Sequence, residues 1–231
     1  MKISVIVPAF NEEKLLGTTL ACIREATKGM DVELIVCDNN STDRTADIAR
    51  QAGAKVVFEP VNQISRARNT GAAAASGDWL VFVDADSFPD RALFAELADA
   101  IASGRCVGGG ATVRFDEADR AARGAVAIWN VISRGMRWAA GSFVFCKAEA
   151  FRALGGFSTE LFASEEIDFS RRLKRIGTLT ILHRHPLRTS GRKVRLYSKT
   201  EYLKLLAKVV LSGGRTLRSR DECFAWYDGR R

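Results

Sequence analysis

The sequence predicts an α/β fold: a parallel sheet with helices covering both faces. Two observations carry the prediction. Short apolar runs alternate with helically spaced segments through residues 1–115, and the runs are nearly continuous, as strands buried on both faces require. Three of the runs stop in polar clusters: Pro8-Ala9-Phe10-Asn11-Glu12, Asp38-Asn39-Asn40-Ser41-Thr42-Asp43 and Asp84-Ala85-Asp86. In such sheets ligands collect at the carboxyl ends of the strands.

The elements follow in order. Ile3-Ser4-Val5-Ile6-Val7 is a β-branched first strand. Leu15, Leu16, Thr19, Leu20 and Ile23 then recur at helical spacing, with Asn11 as the N-cap and Glu12 and Glu13 in the first turn. Residues 33–37 are a second strand, and Ser41 or Thr42 caps a helix running to residue 52. Residues 55–58 form a short third strand, and 65–75 an alanine-rich helix closed by Ser76-Gly77. Trp79-Leu80-Val81-Phe82-Val83 is a fourth strand that ends in two carboxylates one residue apart. If the strand persists through them, Asp84 and Asp86 point to one side. Two like charges there require a cation beside them, and hard carboxylate oxygens suit Mg²⁺ or Mn²⁺. A strand end followed by a solvated turn explains the same residues equally well.

Residues 89–103 are a helix with Leu93, Phe94, Leu97 and Ile101 on its apolar face. A glycine-interrupted strand at 106–115 precedes a long helix at 117–137, a strand at 141–147 and a helical turn at 148–154. Gly155-Gly156-Phe157 is a turn, 165–176 an arginine-rich helix, and 178–182 a strand. Beyond His183 the pattern weakens, although residues 197–211 again show apolar residues at helical spacing.

The 231 residues, 47% hydrophobic, make one domain with ample core. The apolar N-terminal run breaks at Pro8, too early for a signal peptide, and no apolar run approaches the ~20 residues that span a bilayer. Cys22, Cys37, Cys106, Cys146 and Cys223 are odd in number and lack Cys-x-x-Cys spacing. They predict a reducing, cytoplasmic compartment with neither a zinc site nor a disulfide frame. The net charge of +8 is uneven: 17 Lys/Arg and 4 Asp/Glu lie from Arg171 onward, against 18 and 23 before it. A basic last third predicts an anionic partner for that third.

Six motifs in order resemble glycosyltransferase family 2: Val5-Ile6-Val7-Pro8-Ala9-Phe10-Asn11-Glu12-Glu13, Asp38 to Asp43, Ala67-Arg68-Asn69-x-Gly71, Asp84-Ala85-Asp86, Gly155-Gly156-Phe157, and Glu165-Glu166-x-Asp168. The resemblance implies a GT-A fold, in which a mixed, mostly parallel Rossmann-like sheet is flanked by helices. It further implies a nucleotide-sugar donor (a UDP- or GDP-sugar), a divalent metal, inversion at the sugar carbon, and a saccharide or lipid-linked acceptor. Within a single domain, residues 1–115 would hold the nucleotide sugar, 116–195 the acceptor and the catalytic groups, and 196–231 a basic helical extension.

By the same resemblance, Pro8, Ala9 and Phe10 lie against the nucleoside, Glu12 binds the ribose hydroxyls and Asp38 accepts from the ring N–H of the base. Arg68, with Arg66 as second candidate, is the cation beside the base or diphosphate. Asp84 and Ala85 lie at the ribose, and Asp86 ligates the metal that bridges the diphosphate. An inverting transfer needs one general base. Glu166 stands where the family has its base, usually an Asp, and Glu165 and Asp168 stay open as alternatives. Acids in a helix's first turn also simply complement its dipole. His183 and His185 are the chain's two histidines, and either completes the metal site or is structural. Thr189-Ser190-Gly191-Arg192 resembles a phosphate-side element in which Arg192, with Arg188 as companion, contacts the diphosphate. Gly141-Ser142 falls on the acceptor side.

The helix at 197–211 either packs its apolar stripe on the sheet or lies on lipid, and the basic last third can touch the inner face of an anionic membrane. Two other classes compete. A nucleotidyltransferase on a similar fold needs a glycine-rich basic loop after the first strand, where this chain has Pro8-Ala9-Phe10-Asn11-Glu12. A non-catalytic nucleotide or anion binder fits the charge, but a nucleic-acid partner is disfavoured: no helix-turn-helix, zinc or aromatic-interleaved basic pattern is present.

Overall fold

The computed structural model describes residues 1–116, 120–192, 201, 204, 208–209, 211–223 and 227. Eight strands form one sheet: β1 (Ile3–Ala9), β2 (Val32–Asp38), β3 (Lys55–Phe58), β4 (Trp79–Val83), β5 (Ser87–Phe88), β6 (Gly108–Phe115), β7 (Phe143–Lys147) and β8 (Leu179–Thr189). Their order across the sheet is β3-β2-β1-β4-β7-β6-β8-β5. β1, β2, β3 and β4 pair in parallel, as do β6 and β8, whereas β7 runs antiparallel to both its neighbours and β5 is antiparallel to β8. The sheet is therefore mixed and mostly parallel. The antiparallel β7 is invisible in its own sequence, because Phe143-Val144-Phe145-Cys146 is as continuously apolar as a parallel strand.

Alternate residues of the central strands feed two cores. Val5, Val7, Val81 and Val83 pack with Leu16, Leu20 and Ile23 of α1 (Leu16–Ala26) and Leu93, Phe94 and Leu97 of α4 (Arg91–Ala102). Ile6, Leu80 and Phe82 face the other way, onto Phe151 of α6 (Ala148–Ala153), Phe157, and Phe169 of α7 (Glu165–Leu173). The last three rings and Phe82 form a cluster with Phe157 at its centre, 4.6 Å from Phe169 and 5.0 Å from Phe82 between centroids. The remaining helices are α2 (Thr45–Gln51), α3 (Ile64–Ala73) and α5 (Arg120–Met136). β6 contains Gly109 because a Cβ there would collide with the Thr180 carbonyl of β8.

Several expected boundaries move, each for a local reason. Asn11 does not cap α1: it takes a positive φ and its Oδ1 accepts from the Thr42 N–H, tying the first loop to the second. α2 starts at Thr45, since Asp43 Oδ1 takes the Thr45 N–H. β4 ends at Val83, so the alternation expected to align Asp84 with Asp86 does not extend to them. A turn replaces it, with the Ser87 N–H donating to the Asp84 carbonyl. β8 runs on to Thr189 through a bulge: Leu182 pairs with Ala111 and Leu187 with Val113, leaving 183–186 looped out. Residues 117–119 of the fifth predicted helix, and most of 197–211, lie outside the described residues.

Candidate active site

The loops after β1 and β2 form one zipped surface. The Asn39 N–H donates to the Ala9 carbonyl, the Asn11 N–H to Ser41 Oγ, and the Glu12 N–H to Thr45 Oγ1. The Asp38 carboxylate accepts from the Ser41 N–H, a turn closed by its own side chain. Asp43 is held below the usual carboxylate range: burial acts upward, but bonds from Thr45 and the Glu13 N–H outweigh it. Pro8, Ala9, Phe10, Glu12 and Asp38 thus share one edge, the carboxyl end of β1 and β2.

Arg68, on α3, is the hub of the next layer. It is buried, and its Nη1 donates to Glu165 Oε1 at 2.6 Å while Nη2 donates to Asp84 Oδ1 at 3.0 Å and to the Gly141 carbonyl at 2.8 Å. Burial works against its charge, but Asp84, Glu165 and Glu166 raise its pKa above the ordinary arginine value. The guanidinium also lies over the Phe157 ring. Both terminal nitrogens of Arg68 are therefore committed to protein groups, and they join the end of β4 to the start of α7. Arg66 is exposed and bonds Gln63.

Its neighbours in the Arg68-Asn69-x-Gly71 motif have parallel tasks. The Asn69 amide both donates to and accepts from the Phe157 main chain, holding the turn of Gly155 and Gly156 at positive φ. A Cβ on Gly71 would strike Ile6, so glycine lets α3 sit down on β1. The sequence carried the Asn69 signal in the motif itself, but a role in holding a turn 88 residues away has no local signature.

Asp86, Glu12 and Arg192 meet across the sheet edge. Arg192 Nη2 is 2.8 Å from Glu12 Oε1 and 3.8 Å from Asp86 Oδ2, and all three side chains are largely buried. Arg192 is brought there by the end of β8, where the Ser190 N–H donates to the Asp86 carbonyl. Its Nε is buried and has no hydrogen-bond partner among the described residues, a donor that suits an anion. Ala85 is buried, and its carbonyl accepts from Thr19 Oγ1 of α1. Arg188 instead lies over the Phe88 ring.

His183 and His185 are not brought to this cluster. Both are exposed in the β8 bulge, where the N–H groups of His183, Arg184 and His185 point to Glu96 of α4. Those bonds hold the Glu96 carboxyl below its ordinary value although burial would raise it. Among the described residues no group of three or more His, Cys, Asp or Glu is arranged to hold a metal. The acids present fit a different mode, in which one or two carboxylates share a hard cation with substrate phosphates. Asp86 has that chemistry, with Asp84 on the same turn.

The three acids that open α7 separate cleanly. Glu165 is buried against Arg68. Asp168 pairs with Arg172 at 2.8 Å, one turn on. The Glu166 carboxylate makes no ion pair among the described residues and lies where a Cβ on Gly141 would come within 3.4 Å of it. Its pKa is raised to about 8, first by crowding out of water, then by the Glu165 charge beside it. All five cysteines are free.

The model of the family described as glycosyl transferase family 2 matches residues 4–155. A dolichol-phosphate mannosyltransferase of Pyrococcus furiosus is 34% identical over 112 residues, covering 45% of this chain and 31% of that protein. A 4,4'-diaponeurosporenoate glycosyltransferase of Staphylococcus haemolyticus is 44% identical over 91 residues, 36% of this chain and 24% of that one. The chain thus matches less than a third of the length of these curated relatives. Among solved structures, a Pyrobaculum calidifontis mannosyltransferase in complex with GDP-Man and Mn²⁺ superposes with a TM-score of 0.72 at 21% identity, over 90% of this chain and 61% of the other. Glucosyl-3-phosphoglycerate synthase of Mycobacterium tuberculosis gives 0.62 at 21% identity, over all of this chain and 81% of the other. These likenesses establish the GT-A fold. With the family model matched over about two thirds of its length, the chain belongs to glycosyl transferase family 2.

Proposed function

We propose that the protein is an inverting glycosyltransferase that moves a sugar from a UDP- or GDP-sugar to the hydroxyl of a saccharide or lipid-linked acceptor, with a divalent cation, Mg²⁺ or Mn²⁺. The observation that carries this reading is Glu166: an acid with a raised pKa, without an ion-pair partner among the described residues, beside Gly141 and across from the Asp84 turn. In the transfer the acceptor oxygen bonds the sugar carbon as the bond from that carbon to the diphosphate oxygen breaks. The hydroxyl proton goes to ionised Glu166, and the bonding pair leaves with the diphosphate. A bound divalent cation supplies neutralisation of that leaving charge, and Asp86, with Asp84, would hold it.

Pro8, Ala9, Phe10, Glu12 and Asp38 bind the nucleoside in this reading. Arg192 turns from Glu12 and Asp86 to the diphosphate, adding a charge-assisted contact. Arg68 acts behind the site as a positioning residue. Relatives and structural neighbours support the donor class: two of the latter hold GDP-Man or UDP together with Mn²⁺. The chain works as one domain, 1–115 on the donor, 116–195 on the acceptor, 196–231 as basic extension, in a cytoplasmic setting where that last third touches the membrane. Among the described residues no helix is long and apolar enough to cross a membrane.

A thermal-shift panel of UDP- and GDP-sugars, with and without Mn²⁺, tests the donor half. One donor is expected to raise the melting temperature, with a further rise on adding Mn²⁺ that Asp86→Ala removes. Stabilisation by no nucleotide sugar contradicts the reading.

A further inference from the structure

α5 packs one mixed stripe on the sheet and leaves bulky apolar side chains exposed on its outer side. Asn130 is spent on β6: its Oδ1 accepts from the Val113 N–H and its Nδ2 donates to the Val113 carbonyl. Ser133 is buried, and its hydroxyl donates to the Trp138 carbonyl. With Ala122, Val126 and Trp129 these residues make the stripe that packs on the sheet. The opposite face carries Ile128, Val131, Ile132 and Met136, which are 64%, 70%, 41% and 48% exposed. Small residues fill the spaces between them, namely Ala121, Gly124, Ala125 and Gly135.

The charge on this helix has one sign. Residues 120–137 contain Arg120, Arg123, Arg134 and Arg137, all exposed, and no acid. Lys174 adds to them, with its Nζ on the Met136 carbonyl at 2.9 Å, and Arg171 lies over the Trp138 ring. Four bulky aliphatic side chains in water beside a ring of cations match neither an ordinary solvated face nor a core. They match a helix lying in the headgroup region of an anionic bilayer. Against a second copy these six cations would find only the three acids that precede the helix, Asp116, Glu117 and Asp119, and the chain's own basic last third would add like charge.

We propose that α5 is a docking helix for an anionic lipid surface. From Met136 the chain passes through Trp138 to Gly141, whose carbonyl accepts from Arg68 and beside which Glu166 lies. Docking would therefore present the proposed acceptor side to the membrane. The inference does not depend on the transfer reading, since binding to vesicles needs no donor.

Sedimentation of the whole protein with vesicles tests it, using phosphatidylcholine alone and an equimolar mixture with phosphatidylglycerol. The mixed vesicles are expected to bind at least about tenfold more tightly. Ile128→Glu with Val131→Glu should abolish that binding without lowering the melting temperature, because both side chains are exposed. Arg123→Gln with Arg134→Gln should weaken it roughly 25-fold, about fivefold per charge. If the glutamates disturb folding, Ile128→Ser with Val131→Ser reads the same contact. Failure of the native protein to bind mixed vesicles overturns the proposal. So does unchanged binding by the α5 variants, which would place the contact elsewhere on the basic last third. A native dimer that the glutamate pair dissociates, with no vesicle binding, makes a second copy the occupant and overturns it equally.

Discussion

Arg68 and Glu166 set the electrostatics of the site between them. Arg68 satisfies two carboxylates and a carbonyl at once, so removing it strands Glu165 and part-buried Asp84 as unpaired charges. Loss of one member of such a buried network costs about 3–5 kcal/mol. Arg68→Ala should then lower the melting temperature by roughly 6–20 °C for a chain of this size. A drop under about 2 °C would show that the three contacts contribute little. The motif announced Arg68 in the sequence, but not its direction. A ligand-facing cation and a buried clamp use the same residue type, and only the positions of Asp84, Glu165 and Gly141 distinguish them.

Glu166 gives a prediction with a definite sign. Its folded pKa of about 8 lies above the unfolded value near 4.3, so between those limits the folded chain holds a proton that the unfolded chain has lost. Stability contributed by that proton is complete below the unfolded value and is lost as pH rises through the folded one. Glu166→Gln, which cannot ionise, should match the native protein near pH 4 and exceed it in melting temperature at pH 9, with an upper limit of about 5 kcal/mol set by that shift. Equal melting temperatures at both pH values would mean that the carboxyl is not crowded. The resemblance pointed to Glu166 among the three acids that open α7, but their residue types alone did not separate them. Their difference comes from which arginine each one meets, and those arginines sit 97 residues away for Glu165 but 4 for Asp168.

At the scale of elements, the parallel half was legible because each strand is a continuous apolar run followed by a helix at clear spacing. Two features were not. β5 is two residues long and exists only through pairing with β8. The extension of β8 to Thr189 crosses a bulge of His183, Arg184, His185 and Pro186, which breaks the apolar pattern that identifies strands. The bulge is held by Glu96, so the two histidines that suggested a metal site are placed by a helix-to-strand contact. The start of α4 shows the opposite case: Asp90 accepts from the Leu93 N–H as a side-chain cap. Asp90→Ala should cost about 1 kcal/mol, measured by urea denaturation with an unchanged slope. No change in midpoint would mean that water replaces the cap.

Across the whole molecule, charged side chains from two parts of the chain gather near one edge of the sheet. Asp38, Glu12 and Asp86 belong to the residues that the family model covers, whereas Glu166 and Arg192 come from beyond its last matched residue. The sequence placed the first set through ordered motifs at strand ends, and the fold adds the closure, since the end of β8 returns Arg192 to Glu12 over 180 residues. The proposed reaction needs both sets together, because a donor bound at one is inert without a base at the other.

The most direct test uses the donor found by the thermal-shift panel and compares the native protein with Glu166→Gln in release of the nucleoside diphosphate, alongside donor affinity by calorimetry. The account predicts that the variant binds donor as tightly as the native protein while its turnover falls about 10²–10⁴-fold. Turnover within about tenfold of native, at equal donor affinity, would contradict Glu166 as the base.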